Sequence, residues 1–326
     1  MIDRHGRSTD EVLTGFRDRF DLAADALGHV LRGKDAVVRH ALVCLLAEGH
    51  LLIEDVPGVG KTSLARALAA VFGVSSGRVQ FTPDLMPSDI TGVQVHRGGG
   101  AFVFVPGPVF AHVVVCDEIN RASPKAQAAL LEVMEERQVS VAGETHRVPT
   151  PFMVVATQNP VDFAGTYPLP EAQVDRFLMR VGIGPPDVAT ESEILAREHQ
   201  EPLGAASVTG VLDEDTLVEM IAAARRVTVA PELHRYIALL LRETRSPEHR
   251  DTLRLGASTR AGLQLLRAAR VHALALGRYG VIPDDVKDLA MPVLAHRLLL
   301  TDRAVMSGVS GAEVLRKILK TVPVPR

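Results

Sequence analysis

Apolar residues along this chain keep two different rhythms, and the change between them organises everything else. From Ser8 onward the spacing is helical, carrying Val12, Phe16, Phe20 and Leu27 on one face. Ser8 and Glu11 stand in the arrangement of a capping box at its start. Leu31-Arg32-Gly33-Lys34 interrupts, and a second helix is expected over 35–47. The pattern then turns to short runs that are apolar at every position: Leu51-Leu52-Ile53, Val113-Val114-Val115-Cys116 and Phe152-Met153-Val154-Val155-Ala156. Such runs suit strands buried on both faces. Helical spacing returns between them, with Leu64, Leu68 and Val71 on one helix and Ala129, Leu130, Val133 and Met134 on another over 126–137. Strands alternating with helices predict a parallel sheet covered on both sides.

Two hairpins are expected within this region. Val93-Gln94-Val95 and Phe102-Val103-Phe104 flank the glycine-rich tip Arg97-Gly98-Gly99-Gly100, and 139–141 and 146–148 flank Ala142-Gly143-Glu144-Thr145. Gly184-Pro185-Pro186-Asp187 then punctuates the chain. Beyond it the spacing predicts helices over 189–199, 214–225, 231–242, 259–276, 283–295 and 311–319, with no strand among them. The expected fold is therefore α/β: an αβα core with a parallel sheet over 1–185, N-terminal helices included, followed by a small all-α domain over 186–326.

Chemistry enters at Asp55-Val56-Pro57-Gly58-Val59-Gly60-Lys61-Thr62, between the first buried strand and a helix. A strand, a Gly/Pro-rich loop and a helix make a phosphate-binding loop: Pro57 shapes it, and backbone N–H groups of Gly58, Val59, Gly60, Lys61, Thr62 and Ser63 would cradle phosphate oxygens. Lys61 would reach the β- and γ-phosphates, and the Thr62 hydroxyl would ligate Mg²⁺. Asp55 stands where the motif asks for glycine. The strand Val113–Cys116 ends in Asp117-Glu118, two adjacent carboxylates where nucleotide ligands sit in parallel sheets. Asp117 would serve the metal ion and Glu118 would polarise the attacking water. Ala156-Thr157-Gln158-Asn159-Pro160 ends the next strand in amides, where Asn159 either orients that water or senses the γ-phosphate, or simply forms an Asn-Pro turn.

Composition narrows the reading further. The chain has 326 residues, 47% hydrophobic and 23% charged, which is a globular composition. Its net charge of −3 and its 4% aromatic content, without Trp, argue against a basic or aromatic nucleic-acid platform. Two cysteines, Cys44 and Cys116, lie in apolar runs and read as buried thiols of a reducing compartment. The polar stretch 1–10 lacks the apolar core of a signal peptide, and 41–47 is too short to cross a bilayer, so a cytoplasmic protein is expected.

In order and content these motifs resemble AAA+ ATPases, and specifically the MoxR family. The resemblance rests on Glu54–Thr62, on Asp117-Glu118-Ile119-Asn120-Arg121-Ala122, on Ala156–Pro160, on Gly165–Phe177 with its Asp175-Arg176-Phe177, and on Gly256-Ala257-Ser258-Thr259-Arg260. It implies an ATPase using ATP and Mg²⁺, with an αβα core and a helical lid, assembled as a ring and commonly a hexamer. By resemblance Asn159 matches the first sensor, Arg176 an arginine finger offered to the neighbouring subunit, and Arg260 a second sensor that relatives use on their own or a neighbouring site. Gly33 and Lys34 fall where relatives contact adenine, and both hairpins where relatives face a central pore. Arg121 lies in a family motif without an assignable role. The resemblance further implies chaperone-like maturation of a partner, often metal or cofactor insertion, with a von Willebrand factor A (VWA) domain protein as a separate chain. Two rival classes remain: a nucleic-acid motor, for which the hairpin tips carry too few basic residues, and a nucleotide-gated scaffold without turnover, which would not need Lys61, Asp117, Glu118 and Arg176 together.

Overall fold

The computed structural model describes residues 9–55, 60–97, 101–159, 166–197, 208 and 210–325. In chain order the helices α1 (Thr9–Val30) and α2 (Asp35–Leu46) lead into strand β1 (Leu51–Glu54), helix α3 (Lys61–Val71) and strand β2 (Ser76–Gln80). A short helix α4 (Pro87–Thr91) precedes the hairpin β3 (Gly92–Arg97) and β4 (Ala101–Pro106). Strand β5 (Val113–Asp117) and helix α5 (Pro124–Glu136) follow. The second hairpin, β6 (Gln138–Val141) and β7 (Glu144–Arg147), comes before β8 (Met153–Gln158), α6 (Glu171–Val174) and β9 (Met179–Val181). The remainder holds α7 (Val188–Arg197), α8 (Glu214–Arg225), α9 (Pro231–Glu243), β10 (Leu253–Leu255), α10 (Thr259–Ala275), α11 (Pro283–Leu294), β11 (Leu299–Leu300), α12 (Asp302–Met306) and α13 (Gly311–Thr321).

The sheet is parallel throughout, in the order β2-β5-β8-β1-β9. The three strands recognisable as apolar runs are its centre, and registers such as Leu51↔Val155 and Cys116↔Ala156 bring their C-terminal ends level. Period-2 alternation then splits their side chains. Leu51, Ile53, Val113, Val115, Met153 and Val155 pack with α1–α3 and with helices of the C-terminal half. Leu52, Val114, Cys116, Val154 and Ala156 pack with α5 and Phe81 on the opposite face. Cys44 and Cys116 are buried free thiols. Among the described residues no helix is long and apolar enough to cross a membrane.

Several local expectations are corrected. Strands β2 and β9, the sheet edges, are not among the expected strands; β2 reads Ser-Gly-Arg-Val-Gln with only Val79 buried, and β9 is interrupted by Arg180. The second hairpin turns through two residues, Ala142 and Gly143, both with positive φ, so Glu144 and Thr145 belong to strand β7. The helical half contains an antiparallel ladder after all, Leu253↔Leu300 and Leu255↔Leu299, too short to leave a period-2 signature. The His146 ring stacks on Phe104 at 4.0 Å and 11°, joining the two hairpins. His50 is a satisfied core residue, pairing with the Met134 carbonyl and accepting from the Val154 N–H. The capping residue expected at Ser8 lies outside the described residues.

Candidate active site

The loop between β1 and α3 carries the first part of the site. Gly60 has φ +88 and caps α3, which starts at Lys61 with no side-chain cap and no acidic residue in its first turn. The N–H groups of that turn and the positive end of the helix are thus left for an external anion. Pro57, Gly58 and Val59 lie outside the described residues. Lys61 Nζ donates to the Asp55 carbonyl. Burial pulls the Lys61 ammonium below its usual pKa, while the carboxylates of Asp55, Glu118 and Asp117 oppose that shift.

The turn between α1 and α2 closes over this loop. A β-carbon at Gly60 would stand 3.0 Å from Leu31 Cδ1. Gly33, at φ +66, faces Thr190, whose Oγ1 would lie 2.9 Å from an added β-carbon. Lys34 Nζ donates to the Pro185 carbonyl at 2.7 Å. The expected adenine segment, the phosphate loop and the start of α7 are therefore neighbours. Asp55 ties them together: its Oδ2 accepts the Ile183 N–H at 2.7 Å and the Gly184 N–H at 2.5 Å. The residue that breaks the glycine consensus is a brace between the loop and the segment leading to α7.

At the end of β5, Asp117 is buried and uses both oxygens. Thr62 Oγ1 donates to Oδ1 at 2.9 Å, and Arg78 Nε to Oδ2 at 2.8 Å. Arg78 had no sequence signal, because the strand that presents it was itself unrecognised. Glu118 takes left-handed backbone geometry at φ +57, uncommon for a non-glycine residue and frequent where a side chain is held for function. Its N–H donates to Thr157 Oγ1 at 2.9 Å, and its carboxylate pairs with Arg121 Nη1 at 2.9 Å. Arg121 thereby gains a partner that the motif alone did not supply. Asn159 follows β8, between the ends of β5 and β1, and its carbonyl accepts from Asn120 Nδ2 at 3.3 Å.

The two candidate arginines meet elsewhere. Arg176 Nη2 pairs with Glu135 Oε2 at 2.8 Å, and Arg260 Nη2 pairs with the other oxygen of the same carboxylate. Asp175 does not pair with its neighbour Arg176. It takes the buried guanidinium of Arg297 at 2.7 Å and the Ser258 hydroxyl at 3.1 and 3.2 Å. The segment bearing Arg176 is thus moored to the start of α10, which bears Arg260. Glu135 lies eleven residues along α5 from Pro124, about 17 Å of helix axis. The arginines therefore stand one helix length from the start of α5, which follows Glu118 by six residues in the chain.

Comparison with known proteins places the whole arrangement. The model of the ATPase family associated with various cellular activities (AAA) matches residues 50–179, and that of the AAA lid domain matches 245–318. Chaperone MoxR1 of Mycobacterium tuberculosis is 42% identical over 91% of this chain and 80% of its own length. Protein MoxR of Paracoccus denitrificans is 35% identical over 90% of this chain and 92% of its own. This chain belongs to the MoxR family of AAA ATPases. A crystal structure of a proposed ATPase from Cytophaga hutchinsonii, 35% identical, superposes with a TM-score of 0.90 over 97% of this chain and 98% of its own.

For a MoxR-family ATPase the donor set fits a nucleotide and its divalent cation. An uncapped helix start, a half-buried lysine and a hydroxyl hydrogen-bonded to a buried carboxylate are the groups that phosphate and Mg²⁺ require. The residues that sequence reasoning missed are Arg78, Glu135, Thr157 and Arg297. All four act through contacts between segments far apart in the chain.

Proposed function

We propose that this MoxR-family ATPase completes its active sites between subunits of a ring, a hexamer by family expectation, and uses ATP hydrolysis to remodel a protein client. Thr62 and Asp117 would hold Mg²⁺, which neutralises charge on the phosphates. Lys61 and the first turn of α3, with Pro57, Gly58, Val59, Gly60 and Ser63, bind and orient the β- and γ-phosphates. Gly33 and Lys34 border the base. Glu118, held in place by its backbone bond to Thr157, takes a proton from the attacking water, and Asn159 orients it.

The observation that carries the ring reading is the place of Arg176 and Arg260. Both sit on Glu135, about 17 Å along α5 from the end of that helix nearest Glu118. A finger so placed serves a neighbour's γ-phosphate, and head-to-tail contacts of this kind close into rings. Glu135 would keep finger and lid arginine together, so that core and lid of one subunit act jointly on the next. We assign residues 1–185 to the core and 186–326 to the lid.

A protein client is favoured by the hairpin of β3 and β4. Cross-strand pairs Val93↔Val105 and Val95↔Val103 are exposed, as is Phe102, and an apolar hairpin suits polypeptide better than phosphodiester. The chaperone name of the MoxR1 relative agrees with this. The client would be a separate chain, with a VWA-domain protein as the class the family resemblance points to. Buried free thiols agree with a cytoplasmic setting.

Mixing tests the shared site directly. Arg176→Ala and Glu118→Gln should each bind ATP and turn over poorly alone. Mixed, they should recover part of the wild-type phosphate release, because some interfaces pair an intact Glu118 with an intact Arg176. Absence of recovery at every ratio would refute the trans finger. Stimulation of phosphate release by single-stranded DNA would instead favour the motor reading.

A further inference from the structure

At the end of the sheet opposite the phosphate loop lies a cavity of about 450 Å³ whose charged lining, among the described residues, is four arginines and one carboxylate. Arg137 comes from the residue after α5, Arg225 from the last residue of α8, and Arg267 and Arg270 from the middle of α10. The single carboxylate, Glu48, lies just before β1. Glu48 is already engaged: Arg225 donates to its Oε2 through both Nε and Nη2. Arg137 is occupied by the carbonyls of Glu48 and Phe152 and lies over the Phe152 ring. Among the described residues, Arg267 and Arg270 have no carboxylate partner, and the Arg270 Nε is buried without any acceptor.

Four cations against one spent carboxylate is an unbalanced charge. The guanidinium groups repel one another, and those of the half-buried Arg137 and Arg270 also lose hydration, while Arg225 and Arg267 stand exposed at the rim; an anion relieves both costs. Arg137 registers this crowding: burial lowers its pKa, and the nearby Arg267 lowers it further, against the pull of Glu48. The planar fork of arginine matches phosphate oxygens in pairs, and the volume exceeds what one phosphate group needs. We propose that this cavity is a second anion site, distinct from the nucleotide site, which takes a small ligand bearing two or more phosphate groups.

Position gives such a ligand a consequence. Arg137 belongs to the sheet-bearing half, while Arg225, Arg267 and Arg270 belong to the helical half. A bound polyanion bridges the two. Arg267 is also seven residues from Arg260 on the same helix, about 10 Å along its axis. Occupancy would therefore resist movement of the helix that presents Arg260.

Inorganic pyrophosphate is the probe. The full chain is first saturated with Mg·ADP, so that the phosphate loop is filled, and pyrophosphate binding is followed by calorimetry at about 150 mM salt. Wild type should bind with one saturable site, and Arg267→Ala should weaken that affinity at least tenfold while leaving ADP affinity unchanged. Arg267 is exposed, so its truncation leaves the core intact. Arg267→Glu should abolish binding, and Arg267→Lys should restore only part of it. No saturable heat with ADP-saturated wild type, or equal affinity in the Arg267→Ala protein, would overturn the proposal. Loss of ADP binding in the unaltered protein would count against the nucleotide reading instead.

Discussion

Restoring the consensus glycine at the head of the phosphate loop should damage this protein. In most phosphate loops glycine at that position is read as a requirement, so Asp55→Gly would be expected to improve or preserve the site. The structure predicts the reverse. Asp55 Oδ2 accepts two backbone N–H groups, from Ile183 and Gly184, across 128 and 129 residues of chain. A hydrogen bond to a charged group contributes about 1.5–3 kcal/mol. Because Asp55 is only half-buried, water replaces part of that when the carboxylate is removed. Taking the lower end for both bonds gives about 3 kcal/mol, and the added backbone freedom of glycine costs roughly 0.5–1 kcal/mol more.

At about 2–4 °C per kcal/mol for a domain of comparable size, the unfolding midpoint of nucleotide-free Asp55→Gly should fall by on the order of 10 °C. Asp55→Asn is the necessary companion. It keeps one oxygen acceptor without the charge, and should recover at least half of the lost midpoint. The brace also joins the loop to the segment beside Lys34 and Pro185, so ADP affinity should fall with stability in the glycine variant. A midpoint for Asp55→Gly equal to or above wild type would refute the brace. So would an asparagine variant no better than the glycine one.

Other perturbations follow from the same contacts. Lys61→Ala should remove measurable ATP binding in a fluorescence titration while leaving the far-UV spectrum unchanged, and unaltered affinity would sink the phosphate-loop assignment. Glu135→Gln removes the charge that holds Arg176 and Arg260; ATP affinity should stay within twofold while the turnover number falls at least tenfold, and an unchanged turnover number would deny Glu135 a positioning role. Asp285 is buried, and although burial disfavours its ionisation, bonds from Arg278, His272 and the Ile282 N–H bring its pKa down to about 2. Its folded pKa lies below the unfolded one near 3.8, so the associated stability, roughly 2 kcal/mol, is present above about pH 4 and is lost as pH falls toward 2. Chemical denaturation should therefore give wild type a steeper acid loss than Asp285→Asn, and parallel profiles would contradict this.

What could be seen in the sequence follows a physical rule. Gly60-Lys61-Thr62 and Asp117-Glu118 were legible because their chemistry is local, each written within a few residues at the end of an apolar strand. The central strands were legible because burial on both faces leaves no polar position. Edge strand β2 was not, since it buries one residue and spends Arg78 on Asp117. The role of Asp55 was hidden for a different reason. Its partners are backbone N–H groups of Ile183 and Gly184, which have no side-chain identity for a motif to record. Glu135 sat unnoticed in a helix rich in glutamate, distinguished only by two arginines that arrive from 41 and 125 residues further along the chain.

That last case bears on the proposal that hydrolysis depends on assembly. Glu118 precedes α5 and Glu135 lies near its far end, so the helix fixes the separation between the carboxylate proposed to activate water and the carboxylate holding the arginines. An α-helix is stiff at about 1.5 Å per residue, and no side-chain rotation shortens a span of about 17 Å, whereas an arginine side chain reaches less than half of it. Nor is the segment bearing Arg176 free to swing inward, since Asp175 is bound by Arg297 and Ser258 on the helical half. A subunit built this way holds Glu118 before one end of α5 and the paired Arg176 and Arg260 near the other. On the proposed reading, the two would become parts of one reaction when a second copy brought its arginines to the first copy's phosphates.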